Sequence, residues 1–489
     1  MHKSIFSIII CIFFLGVFPP DSQGLYFRLD GDRLWLQAEK TPLVDILQQF
    51  ARAGVEVRLD PRVQSTVTGS VRGQDLDESL EDLLASYDYL LTWKMLRGPL
   101  GRIPKLKQIE IFMPGSAAAA QPVPHRPPVF EATRGVTGAA PEFVKDELLL
   151  RVRPGVTYDQ FKRLLDAVGG MIVEADLQTG VYLIRFPPGT NVEALLEQLA
   201  RNALVARAEL NHVVRLPEPV SAGATNLPAL PDIPAPASGS AAVAVLDSGL
   251  DPRAGLSNVI VAAWDAVDPG RTISDAEGHG TQMAFLASGL IAAEGVAKSG
   301  GPLPVVAIRT FDEEGKTSNF ALLQALAYAA KAGAKVVNMS WGSETDSQFM
   351  REAMRRAAAQ GLVLVAAAGN VPSGKSVYPA AYPDVIAVGG VQAENQPWAN
   401  SNHGSFVDLS APAFATLPVG HNGPPGAYVG TSISSAVVAN ALAVYFSRNP
   451  GATAAAARAA LRQALSPAPA GGYGEGVLDA AALRRFLNP

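Results

Sequence analysis

Ser432 stands in a Gly-Thr-Ser turn that runs straight into small and apolar residues at helical spacing, GTSISSAVVANALAVYF over 430–446. A hydroxyl at a helix start meets unpaired backbone N–H groups and a dipole that favours negative charge. That setting suits a nucleophile beside an oxyanion, although the same turn also serves as an ordinary N-cap. Three more polar residues fall at comparable places. Asp247 follows the apolar run in AVAVLDSG, His279 opens the segment GHGTQMAFLASGL, and Asn370 ends GLVLVAAAGN. Taken singly, each is also explained by a turn or a cap.

The elements that must position these residues are alternating strands and helices, which read as an α/β domain with a mostly parallel sheet from residue 241 onward. VVAIRTF is a strand, NFALLQALAYAAKAG a helix, and KVVNMSWGS a strand carrying Ser340, Trp341 and Gly342. In open α/β sheets ligands bind beyond the carboxyl ends of the strands, where these polar residues fall.

Four motifs in one order, Asp in DSG, His in HGT, Asn in AAGN and Ser in GTS, resemble the subtilisin family of serine proteases. The resemblance runs from about 241 to 487 and includes VYPAAYPDVIAVGG, SNHGSFVDLSAP and YGEGVLDAAAL. It implies a subtilisin-like three-layer α/β domain and an Asp-His-Ser triad of Asp247, His279 and Ser432. His279 would take the proton of Ser432, which is a weak nucleophile by itself, and Asp247 would hold the imidazole tautomer. Asn370 would face the oxyanion, Ser340, Trp341 and Gly342 would pair with extended substrate backbone, and Ala367, Ala368 and Gly369 would line a small-walled pocket. Three positions depart from the family pattern: Gln282 and Phe285 in HGTQMAF, and Ala436 after the nucleophile. They sit on the helices that aim His279 and Ser432. The chemistry requires no cofactor and no metal; a structural calcium is left open, with no loop mapped for it.

Two small α+β domains precede the peptidase-like part. Residues 25–113 combine LWLQAEK, VEVRLD, STVTGSV, YLLTWK and IEIFM as strands with two amphipathic helices, marked by Leu43, Ile46, Leu47 and Phe50 and by Leu76, Leu80, Leu83 and Leu84. The xxPLxxxLxxFA and LDESLEDLL wording resembles the short N-terminal domain of secretins and TonB-dependent receptors, implying an envelope protein partner. Residues 114–140 are rich in Pro, Ala and Gly and read as a linker holding His125. Residues 141–217 show two β-α-β halves, which predict a ferredoxin-like sandwich. PGVTYDQFKRLLDAVGG and AELNHVVRL there resemble subtilisin-type propeptides, implying an intramolecular inhibitor, and His212 reads as structural. A second linker, 218–240, invites proteolytic nicking, so maturation is expected by cleavage within 217–240.

Composition bounds the rest. The 489 residues suffice for two to four domains. The 48% hydrophobic and 17% charged content describes a globular chain, and a net charge of −5 leaves no basic footprint for nucleic acid. Met1-His2-Lys3, the apolar stretch Ile5 to Phe18 and Ser22-Gln23-Gly24 read as a signal peptide over 1–24. The apolar stretch is short of the roughly 20 residues a span needs, so the expectation is an exported protein, periplasmic or secreted, with no transmembrane span once the leader is removed. The sole cysteine, Cys11, lies in that leader. The expected activity is a serine endopeptidase acting on protein or peptide substrate through an acyl-enzyme, made as an autoinhibited precursor. The alternative is a catalytically weak or inactive protease-like scaffold in an envelope complex, bound through its N-terminal module.

Overall fold

The computed structural model describes residues 25–488 except 31–32, 53–54, 99, 124–129, 135–140, 225–232, 299 and 470. The leader, Cys11 and His125 lie outside the described residues. The chain divides into two compact units, one of residues 1–95 and 104–125 and one of 96–103 and 126–489.

The strands of the first unit are β1 (Tyr26–Asp30), β2 (Arg33–Pro42), β3 (Glu56–Leu59), β4 (Thr66–Asp75), β5 (Asp88–Gly98), β6 (Gly101–Phe112) and β7 (Gln121–Pro122), of which β5 and β6 run past its boundary over 96–98 and 101–103. The helices are α1 (Leu43–Arg52) and α2 (Leu76–Leu83). Two sheets form, β1-β2-β4 and β5-β6-β3-β7. The periodic residues Leu43, Ile46, Leu47 and Phe50 of α1 are all buried, with Leu76 and Leu80 of α2 in the same core. Asp75 caps α2, accepting from the Asp77 amide.

The second unit begins with a middle domain of strands β8 (Ala132–Arg134), β9 (Glu142–Val152), β10 (Met171–Asp176), β11 (Val181–Arg185) and β12 (Val205–Arg215), with helices α3 (Tyr158–Val168) and α4 (Val192–Ala200). Its antiparallel sheet runs β10-β11-β9-β12. The run Leu148, Leu149 and Leu150 is fully buried because the sheet is covered on both faces. Leu148 and Leu150 pack with Phe161 and Leu199 of the two helices, while Leu149 joins Leu322, Leu326 and Phe349 of the domain that follows. Thr157 and Gln160 form a capping box on α3.

The large domain follows β13 (Ser221–Ala224). Its strands are β14 (Val243–Asp247), β15 (Ile260–Asp265), β16 (Val305–Arg309), β17 (Lys316–Ser318), β18 (Val336–Met339), β19 (Val363–Ala367), β20 (Val385–Val391), β21 (Leu409–Pro412), β22 (Phe414–Leu417), β23 (Gly426–Val429), β24 (Ser466–Pro467) and β25 (Gly476–Val477). The helices are α5 (His279–Ala287), α6 (Asn319–Lys331), α7 (Gln348–Ala359), α8 (Thr431–Arg448), α9 (Ala454–Ala464) and α10 (Ala480–Leu487). A nine-stranded sheet, β15-β16-β14-β18-β19-β20-β21-β25-β24, is parallel except for its last pair. One face carries α5, α8, α9 and α10; the other carries α6 and α7. Strands β14, β16, β18 and β19 are buried at every residue, as a doubly covered parallel sheet demands.

The segments read as linkers do take part in sheets. β7 pairs with β3, β8 with β9, and β13 with β23. Their composition is irregular, but exposed strand edges offer N–H and C=O groups that a passing chain satisfies. Among the described residues no helix is long and apolar enough to cross a membrane.

Candidate active site

Asp247 is the last residue of β14 and His279 the first of α5, so strand end and helix start deliver the two side chains to one point. His279 Nδ1 lies 2.7 Å from Asp247 Oδ1, and both side chains are nearly sealed, at 4% and 0% exposure. The Ser248 amide donates to the same carboxylate oxygen at 2.8 Å. The Thr310 amide donates to the Asp247 carbonyl at 2.7 Å and pins the strand end. Gly280 permits the approach: a side chain there would sit 2.5 Å from the Gly249 carbonyl oxygen. Burial works against a charged His279, but the Asp247 carboxylate, with Asp275 and Glu277, outweighs it and raises the imidazole above its ordinary pKa.

Ser432 is the second residue of α8, whose start follows the extended Gly430. Its hydroxyl donates to the Ser340 carbonyl at 3.1 Å, and its own carbonyl accepts from the Ser435 hydroxyl at 2.9 Å. Among the described residues no hydrogen bond joins the Ser432 hydroxyl to His279. Asn370, just beyond β19, accepts on Oδ1 from the amide and hydroxyl of Thr431 at 3.0 and 2.9 Å. With its oxygen engaged, the carboxamide keeps its Nδ2 donors for another acceptor.

Ser432 and Asn370 open onto a cavity of about 390 Å³, which Ser340, Trp341, Gly342, Ala367 and Gly369 also border. Ala368, expected in that wall, does not border it. It is fully buried, its amide bonded to the Val388 carbonyl at 2.9 Å, because successive residues leaving a strand alternate in direction. The Trp341 indole is turned inward and donates to the Leu246 carbonyl at 2.8 Å.

Two features are absent from the sequence reading. One is the chain from Arg215 to Val220, five residues of which border the same cavity. On one side β12 pairs with β17, and the Leu216 amide donates to the Gly315 carbonyl at 2.9 Å. On the other, the Val429 amide donates to the Val220 carbonyl at 3.0 Å and β13 pairs with β23. The other is His421, whose ring lies 4.8 Å from that of His279. Burial, and then the charge of His279, push His421 down to about 3. The sequence alone singled out His279 among the histidines; PVGHNGPPG is turn-rich, and only folding brings its histidine to His279. Gln282, at a position of family departure, donates to the Val419 carbonyl at 2.7 Å and ties that loop to α5. Gly278, at φ +83°, faces the Gly420 carbonyl so closely that a side chain there would lie 1.9 Å from its oxygen. Among the described residues no group of three or more His, Cys, Asp or Glu side chains is disposed to hold a metal ion.

The chain has relatives among known proteins. Residues 238–476 match the subtilase family, and residues 132–211 match the fervidolysin N-terminal prodomain. Subtilisin of Bacillus pumilus is 33% identical over 220 residues, covering 44% of this chain and 80% of that protein. The thermophilic serine proteinase of Bacillus sp. (strain AK1) is 30% identical over 323 residues, covering 63% and 79%. Subtilisin E of Bacillus subtilis (strain 168) is 33% identical, but the match spans only 58% of its length and 44% of this chain. The crystal structure of fervidolysin from Fervidobacterium pennivorans shares the fold with a TM-score of 0.57 at 21% identity, covering 71% of this chain and 61% of that one. The chain belongs to the subtilase family and carries a prodomain ahead of its peptidase domain.

Proposed function

We propose that the protein is an exported serine endopeptidase, made as a precursor that its own prodomain holds inactive. The observation that carries this reading is the buried 2.7 Å contact between Asp247 and His279 at the sheet edge, beside a cleft holding Ser432 and Asn370. Asp247 fixes the imidazole with Nδ1 protonated, so Nε2 takes the Ser432 proton as Oγ attacks a substrate carbonyl. The Ser432 amide and Asn370 Nδ2 receive the oxyanion, and the imidazolium then protonates the leaving amine. Water hydrolyses the acyl-enzyme by the same route in reverse. Ser340 to Gly342 offer backbone to an extended peptide entering the cleft.

The strand order β10-β11-β9-β12 with two helices on one face supports a ferredoxin-like prodomain. Residues 25–113 supply a separate module for an envelope protein partner, and the leader directs export to the periplasm or beyond. The likeness to the minor extracellular protease Epr of Bacillus subtilis (strain 168), 32% identical over 222 residues, supports export. Processing falls within 217–240. Labelling of Ser432 by a fluorophosphonate tests the reading. Labelling that vanishes in Ser432→Ala supports it; a processed chain that never labels overturns it.

A further inference from the structure

The segment that crosses the cleft has a composition with a chemical consequence, which rests on the peptidase reading above. Its last anchor before Ser432 is Leu216, bonded to Gly315, and its first anchor after is Val220, bonded to Val429. Four peptide bonds lie between these anchors: Leu216–Pro217, Pro217–Glu218, Glu218–Pro219 and Pro219–Val220. Each has a proline on one side. We infer that this strap is built to lie across the catalytic serine without being cut, so that the prodomain leaves by displacement or by cleavage elsewhere.

Acylation would join Ser432 Oγ to a strap carbonyl carbon, break the C–N bond and pass the imidazolium proton to the departing nitrogen. At Leu216–Pro217 and Glu218–Pro219 that nitrogen belongs to a ring whose Cδ crowds the residue before it. The proton must then reach a tertiary amide nitrogen flanked by two carbons. At Pro217–Glu218 and Pro219–Val220 the acyl residue is itself proline. It has no N–H to donate to the enzyme's edge, and its φ near −65° departs from the extended form a strand-paired substrate takes. A second observation agrees. The strap borders the cavity of about 390 Å³ formed with Ala367, Gly369 and Val377 and does not fill it. The pocket that would grip a substrate side chain beside the cut bond is therefore left ungripped, and a carbonyl not held in place reacts slowly.

The strap thus acts as a standing inhibitor, and a cut after residue 220 leaves it whole on the prodomain. The test is incubation of the full chain, with mass spectrometry of every terminus formed and fluorophosphonate labelling of Ser432. In the native sequence all four bonds persist, and any cut maps outside 216–220. In Pro217→Ala/Pro219→Ala the strap is cut between 216 and 220 at least about 10²-fold faster, the scale on which positioning of a reacting carbonyl acts. The same pair in a Ser432→Ala background stays whole and reports by its melting temperature that the substitutions fold. Glu218→Ala, with both prolines kept, stays intact. Native cleavage within 216–220, equal cleavage of Glu218→Ala, or an uncut but labelled double variant overturns the inference while the peptidase reading stands. A folded double variant that is neither cut nor labelled overturns the peptidase reading itself.

Discussion

The peptidase domain and the prodomain docked on it are held together by different physics. Inside the peptidase domain, strands buried along their whole length and an 18-residue α8 buried through most of its turns make one continuous apolar body. The prodomain meets that body through an apolar patch, Leu149, Val181, Leu183 and Val214 with Val173 and Leu216 at its margin, and through polar ties. Glu209 accepts from the Ser347 hydroxyl at 2.7 Å, the Phe320 amide donates to Asn211 at 3.1 Å, and Arg151 pairs with Glu352. Water can replace each of these ties, whereas it cannot replace the core. The difference describes a body that persists and a cover that can leave.

The largest effect should fall entirely on the body's chemistry. Ser432→Ala lowers turnover by about 10⁶-fold, the magnitude found when subtilisin loses its nucleophile, with thermal stability and prodomain docking unchanged. Steady-state kinetics and a melting scan together check this. Asn370→Ala should cost about 10²–10³ in turnover, again the subtilisin figure for such an amide, with KM moving little. If KM rises instead and turnover holds, Asn370 binds substrate and does not stabilise the oxyanion.

On the cover's side, Glu209→Ala removes an acceptor at the start of α7. That loss is worth about 1 kcal/mol, so basal turnover of a small peptide by the full chain should rise about five-fold. A rise of that size without a fall in the peptidase domain's own melting temperature sharpens the contrast; an equal loss of both would erase it. The smallest effect concerns pH. The base works only when neutral, and its raised pKa places the acid limb of activity at higher pH than an ordinary histidine would. Glu277→Gln removes one of the charges responsible, so the limb should move to lower pH by a few tenths of a unit. His421 predicts a stability effect of opposite sense. Its lowered pKa gives stability that is intact above pH 6.5 and lost as pH falls toward about 3. Replacing it with a residue that does not titrate should flatten that acid decline.

Much of this was readable from residue types. Apolar runs such as Val243–Leu246 announced doubly covered strands, Leu43 to Phe50 announced a helix face, and Asp247, His279, Asn370 and Ser432 stood at the element ends where the structure has them. These are local signals, carried by periodicity and by turn chemistry. The contact between His421 and His279 joins residues far apart in the chain, and nothing in a Gly- and Pro-rich loop encodes which helix it will cover. The strap escaped notice for a similar reason. Proline and alanine suggested a linker, yet Leu216 and Val220 each spend one backbone group on a strand edge that only the fold creates. Ala368 belongs to the pocket wall by the family resemblance, and the alternation of a strand end sends it elsewhere.

Asn211 and Glu209 lend acceptors to the first turns of α6 and α7, which otherwise rely on Ser318 and Ser347 alone. Each helix start is therefore capped from two domains at once. Removal of the cover should show first as faster amide exchange at Phe320, well before any strand of the sheet loosens.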